Sequence, residues 1–308
     1  MDVRVYEKEV LSSDEETPLK GVVYEPDGDP KGLFQVVHGM TEHIARYDKF
    51  MREIASHGYV VFGHDHLGHG KTAGDKEKLG YFKPKDGYDY LARDVYYFAC
   101  EMKRQYGAPL PFTLMGHSMG SFVVRVAATR FFEPDSLIIM GTGGKNPASG
   151  LGLFMINLAK AIKGEKYRSE FIDKLIFGKY NDKFKSENDP RSWLTKDVSV
   201  RRAFDADEYC NFKFTLAAMK DLVTLNRIAN SKSFYNELAK DTRVLMLSGK
   251  DDPVGNYGKG VTEVYNKIRR KGINVNMKLY ENCRHEILND DSYDDVVKDI
   301  LEFIKVRR

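Results

Sequence analysis

Residues Gly116–Gly120 read GHSMG, a G-x-S-x-G set lying between PFTLM (Pro111–Met115) and SFVVRVAATRFF (Ser121–Phe132). The first flank is an apolar run of strand length, and the second has the character of a buried helix. A serine at such a junction needs a sharp turn to project its hydroxyl past the end of a sheet. Glycines at Gly116 and Gly120 let the backbone take that turn without side-chain collisions. A bare G-x-S-x-G recurs by chance, but this context predicts an exposed nucleophile, Ser118, with His117 as a supporting neighbour.

The same alternation continues outward. LFQVV, YVVFG, FTLM, LIIM and RVLMLSG are nearly continuous apolar runs, as parallel strands are when helices cover both faces. VNMKLY is a further strand of mixed character. Before them, VRVYEKEV and LKGVVYEP flank the turn-rich LSSDEET and predict a hairpin on the sheet edge. Helical periodicity falls at Tyr47–His57, Gly87–Tyr106, Met119–Phe132, Gly258–Lys271 and Ser292–Lys305. The fold class is therefore α/β, with a mostly parallel central sheet between two helical layers. From about Lys145 to Leu238 no strand-like run appears, and the residues are aromatic, charged and helix-prone. We divide the chain into a core over residues 1–144, a helical cap insertion over 145–238 and the rest of the core over 239–308.

A serine hydroxyl is a weak nucleophile until a base takes its proton and a third group orients that base. On a strand–turn–helix unit the acid and then the histidine follow the serine in the chain. The only histidine after Ser118 is His285, in YENCRHEILN just past VNMKLY. The acid belongs in the loop after RVLMLSG, where Asp251 and Asp252 compete; Pro253 biases Asp252 toward an extended backbone. An oxyanion hole needs two backbone N–H groups. Met119 follows the serine, and Met40 lies in HGMTEH after LFQVV, where Gly39 allows a close backbone approach. His38 and His43 are expected to hold that loop by hydrogen bonds.

Composition narrows the function classes. The chain has 308 residues, 48 basic and 45 acidic ones scattered along it, and a net charge of +3. No basic face for nucleic acid is implied. MDVRVYEKEV lacks the charge-then-apolar order of a signal peptide, and no window approaches the roughly 18 apolar residues of a spanning helix. Cys100, Cys210 and Cys283 are odd in number and lack a metal-site spacing, which fits a reducing, cytoplasmic compartment.

Taken together, VVHGMTEHIARYDKF, GHDHLGHGKT, MGHSMGSF, SGKDDPVG and YENCRHEILN resemble the monoacylglycerol lipase and lysophospholipase group of α/β-hydrolases, a group often joined with serine aminopeptidases. The resemblance spans Pro18–Met140 and Arg243–Ile304. It implies oxyanion donors at Met40 and Met119, and an acid three residues after a glycine, which from Gly249 falls on Asp252. DHLGHG matches the group's Asp-x-x-Gly-His-Gly loop, with Leu67 where arginine is common. The resemblance also implies a cap over the serine, and the return segment Arg191–Leu222 is similar to the group's at Trp193–Leu194. Leu151, Phe154, Met155, Leu158, Ala161 and Ile162 follow helical spacing and are expected either to line it or to pack that helix on the main domain; Leu153 and Ile156, on the other side, leave surplus apolar surface for an acyl chain or a membrane.

The reading that results is a serine carboxylester hydrolase acting on small acyl esters such as monoacylglycerols or lysophospholipids, with no metal or organic cofactor. A short-chain esterase is one alternative. An aminopeptidase is another, and Glu187, Asp189, Asp205, Asp207 and Glu208 are available to bind a substrate ammonium. A non-catalytic binding protein of this fold would have little use for a full set of catalytic residues. His64, His66 and His69 reproduce the histidine spacing of the H-x-H-x-D-H zinc hydrolases. The aspartate expected before the last histidine is Gly68 instead, and downstream ligands are lacking, so the cluster reads as scaffold.

Overall fold

Strands that alternate in polarity lie at the edges of the sheet, and continuous apolar strands fill its middle. The computed structural model describes residues 2–107 and 109–305. The strands are β1 (Val3–Leu11), β2 (Pro18–Pro26), β3 (Gly32–Val37), β4 (Tyr59–His64), β5 (Phe112–His117), β6 (Ser136–Met140), β7 (Arg243–Gly249) and β8 (Val275–Tyr280). They form one sheet in the order β1-β2-β4-β3-β5-β6-β7-β8. β1 and β2 form the antiparallel edge, and β2 also pairs antiparallel with β4. All other pairings are parallel. Strands β3 to β6 are buried along their whole length, whereas β8, on the far edge, alternates.

The helices are α1 (Asp48–Ser56), α2 (Gly87–Tyr106), α3 (Met119–Arg130), α4 (Ser149–Lys163), α5 (Glu170–Phe177), α6 (Val198–Ala206), α7 (Leu216–Ala229), α8 (Lys232–Glu237), α9 (Lys259–Arg269) and α10 (Tyr293–Ile304). Because successive side chains point to opposite faces of a strand, Phe34 and Val36 of β3 pack with Phe50 and Ile54 of α1 and Ile300 of α10. Leu33 and Val37 pack on the other face with Val95 of α2, Val123 of α3 and Val264 of α9. Each such side chain contributes about 1.5–3 kcal/mol by leaving water.

Helices α4 to α8 all fall between β6 and β7. Within that insertion α7 packs on α2 and α3, and its Leu222 and Leu225 join the main core. The expectation that Leu151, Phe154, Leu158, Ala161 and Ile162 line the inside of a cap is corrected. Leu151, Phe154, Leu158 and Ile162 are 53–69% exposed, and Ile156 is the fully buried residue of α4. Periodicity defines a stripe on a helix but not the side of the molecule it faces.

Candidate active site

The turn at Ser118 is built from clashes that only glycine avoids. Ser118 takes φ 54° and ψ −119°. A Cβ on Gly116 would collide with the Gly120 carbonyl, and one on Gly120 would collide with Val37 O and come within 2.5 Å of His38 O. The Ser118 N–H donates to Met140 O at 3.0 Å, anchoring the turn to β6. Gly39 lets the HGMTEH loop press against the serine, since a Cβ there would sit 3.0 Å from Ser118 Cβ. Ser118, Met40, Met119, His117 and His285 all line one cavity of about 530 Å³.

His285 Nδ1 donates to Asp252 Oδ2 at 2.9 Å, and both residues are buried. Asp252 also accepts the Val254 N–H at 2.8 Å. Of the two adjacent aspartates, Asp252 is the one the structure brings to His285; the Asp251 N–H meets Cys283 O instead. A carboxylate fixed on one imidazole nitrogen leaves the other free to exchange a proton with a hydroxyl.

Behind this pair lies a buried charged network that the motif reading missed. Arg46 forms two bonds to Glu286, at 2.8 and 2.9 Å, and one to Glu42 at 2.5 Å. Glu42 in turn accepts the Gly39 N–H at 2.6 Å and the Tyr47 hydroxyl at 2.9 Å. Burial alone would raise the Glu42 carboxyl pKa, but the His117 ring 3.5 Å away and the Arg46 charge hold it well below the usual range. Burial likewise opposes charge on His117, and Glu42 outweighs it, raising the imidazole above its ordinary value. His117 Nε2 donates to His285 O at 3.3 Å, and its Nδ1 lies 2.8 Å from the Tyr47 hydroxyl oxygen. His117 thus grips the backbone of His285. The i,i+4 spacing of Glu42 and Arg46 was the legible clue; Glu286 gave none beyond its place after His285.

The segment at Trp193–Leu194, between α5 and α6, also holds the His285 loop. The Glu286 N–H donates to Leu194 O at 2.7 Å, and the Trp193 ring lies 5.2 Å from the His285 ring. The five acidic residues available to an ammonium group are all engaged. Glu187 pairs with Arg284 and Arg201, Asp189 with Arg201, Asp205 with Arg191, Asp207 with His43 and Glu208 with Lys76.

His38 stays within its loop, with Nδ1 2.8 Å from Gly39 O, and its Nε2 accepts the His66 N–H at 3.0 Å. His43 does not; it reaches Asp207, at the end of α6, at 2.9 Å. His64 stacks on Phe98 and His69 on Phe82, and the ring centres of His64 and His66 are 5.6 Å apart, those of His66 and His69 6.0 Å. Among the described residues the one set of three ligand atoms within 4.8 Å is His43, Asp207 and Cys210, so the H-x-H-x-x-H cluster forms no such set. Asp65 instead accepts the N–H groups of Ile44 and Lys71, each at 2.8 Å, tying two loops together. Burial pushes His64 down to about 3 and His69 to about 4, and lowers His38 and His66 well below the ordinary value. The cluster is neutral packing beneath the site.

Fold and site define a serine hydrolase of the α/β-hydrolase class. The family described as "Serine aminopeptidase, S33" matches residues 28–292, and the chain belongs to it. It is similar to the monoglyceride lipase homolog of Monkeypox virus, 24% identical over 92% of this chain and 91% of that one. The monoacylglycerol lipase of Mycolicibacterium smegmatis is 23% identical over the same shares, 92% and 91%. Among solved structures, the thermostable carboxyl esterase from Bacillus coagulans, in complex with glycerol, superposes with a TM-score of 0.92 at 29% identity, covering 98% of both chains. The protein is a serine ester hydrolase.

Proposed function

We propose that this protein hydrolyses single-chain acyl esters, monoacylglycerols or lysophospholipids, through an acyl-enzyme on Ser118. The observation that carries the reading is the buried His285–Asp252 pair at the cavity that also holds the strained Ser118. In this mechanism Ser118 Oγ attacks the ester carbonyl carbon while His285 Nε2 takes its proton. The Met40 and Met119 N–H groups stabilise the oxyanion. Collapse of the tetrahedral intermediate breaks the C–O bond, and His285 returns the proton to the leaving alcohol. Water then repeats the sequence on the acyl-enzyme, releasing the fatty acid. Asp252 orients the imidazole and stabilises its charged form.

The cap segments on the cavity wall support an acyl substrate, with Ile176, Phe177, Trp193, Leu194, Phe204 and Phe212 on it. The pairing of all five candidate carboxylates supports an ester over a peptide amine. The exposed stripe of α4, continued by Tyr167, Phe171 and Leu175 and edged by Lys163 and Lys166, supports docking on a lipid surface. The three free cysteines favour the cytoplasm. We place the cap at residues 145–238, with α7 as its root on the core.

The test is hydrolysis of p-nitrophenyl esters from acetate to palmitate with Ser118→Ala as the blank. A maximum at medium or long chains is expected. A maximum at acetate with a steep fall would replace this reading with a short-chain esterase.

A further inference from the structure

Away from the serine, the loop that carries Met40 and the turn that ends α6 face each other with three donors of different chemistry. His43 Nε2, an Asp207 carboxylate oxygen and Cys210 Sγ lie within 4.8 Å of one another. We propose that His43, Asp207 and Cys210 bind a zinc ion that pins the cap turn Asp207–Cys210 to the HGMTEH loop and lowers turnover.

Nitrogen, carboxylate oxygen and thiolate sulfur are the donors zinc takes, and Asp207-x-x-Cys210 has the two-residue gap of a chelating turn. That turn is already formed, because the Cys210 N–H donates to Asp207 O at 3.1 Å. The carboxylate is oriented as well: Oδ1 accepts the Tyr209 N–H at 2.8 Å, and Oδ2 faces His43. The two loops are held in register by the Asn211 N–H, which donates to Thr41 O at 3.2 Å. A tetrahedral ion with bonds of about 2.0–2.3 Å spaces its ligands about 3.5 Å apart, so Nε2 and Oδ2, now 2.9 Å apart, open slightly while Sγ, within 4.8 Å of both, draws in. Cys210 is buried, while the Asp207 side chain is 32% exposed, which leaves a solvent side for entry and for a fourth, water ligand. Nearby Arg46 is neutralised by Glu42 and Glu286.

Binding converts Cys210–SH and Zn²⁺ into a zinc thiolate and one proton released to solvent. His43 moves its hydrogen to Nδ1 and presents the Nε2 lone pair, so the ion replaces the His43–Asp207 hydrogen bond. Zinc binding stands apart from the proposed ester chemistry; the effect on turnover rests on it.

The experiment uses the full chain stripped of metal. Cobalt titration is expected to give a thiolate-to-metal charge-transfer band that is absent in Cys210→Ser. Asp207→Asn should weaken cobalt binding by at least about tenfold, the loss that follows even when a ligand's outer partner is removed. Zinc should then slow ester hydrolysis and EDTA restore it, whereas Cys210→Ser should keep its basal rate and resist zinc. Equal zinc inhibition in Cys210→Ser would place the ion elsewhere and overturn the proposal, as would cobalt binding without a thiolate band. If Cys210→Ser does not fold, Asp207→Asn carries the same comparison. A chain that binds cobalt through Cys210 but hydrolyses no ester would uphold the metal site and reject the ester reading.

Discussion

At Ser118 a non-glycine residue is held at positive φ by anchors on both sides, the Met140 carbonyl and the α3 turn. Such a conformation costs about 1–3 kcal/mol and persists only where its surroundings dictate it. Ser118→Ala should therefore abolish ester turnover while leaving the unfolding midpoint nearly unchanged, as kinetics and denaturation on the same preparation would show. Asp252→Asn should lower kcat by on the order of 10⁴-fold by mis-setting the His285 tautomer, and Asp251→Asn should have little effect. Equal losses in the two variants would contradict the assignment. Ser118 and His285 were legible from the sequence because one motif and one downstream histidine left no rivals. Spacing alone left Asp251 and Asp252 open and the family resemblance pointed to Asp252, the one that the packed strand ends bring to Nδ1. The partners of His117 were hidden, since Tyr47 and Glu42 reach it from another loop. Its raised pKa has a testable sign. A folded-state value above the unfolded value of about 6.5 adds stability that is present below that pH and lost as pH rises through the folded value. His117→Gln should therefore lose more stability at about pH 6 than at about pH 9, measured by urea unfolding at each.

Among the elements, the strands and the outer helices were legible because periodicity and apolar runs are local properties. How the loops lock to one another was not, because Arg46, in the turn before α1, meets Glu286, in the loop after β8, only in the folded chain. The same single side chain holds Glu42, and through Glu42 the Gly39 N–H. Arg46→Met should leave two carboxylates buried and uncompensated, costing about 3–5 kcal/mol. Urea unfolding would measure that cost. The direction faced by α4 was likewise illegible. Its apolar stripe has enough periodicity to predict a packed face, and only the three-dimensional arrangement turns that stripe to the outside.

Over the whole molecule, the exposed stripe of α4 and α5 is the largest departure from an ordinary soluble surface. Replacing Leu151, Phe154 and Ile162 together by serine should reduce partitioning to anionic vesicles by at least about tenfold, since even one such side chain transfers with about 1.5–3 kcal/mol. The rate on a water-soluble acetate ester should stay the same; a matching loss there would mean that the stripe serves folding and not docking. The neutral histidines beneath the site set a different limit on this molecule. His38, His64, His66 and His69 bind protons far less readily folded than unfolded. As the medium acidifies below about 6.5, the unfolded chain takes up protons that the native one refuses, steepening the loss of stability by up to about 5 kcal/mol per pH unit. These four buried rings thereby make the fold sensitive to acid well before its carboxylates titrate.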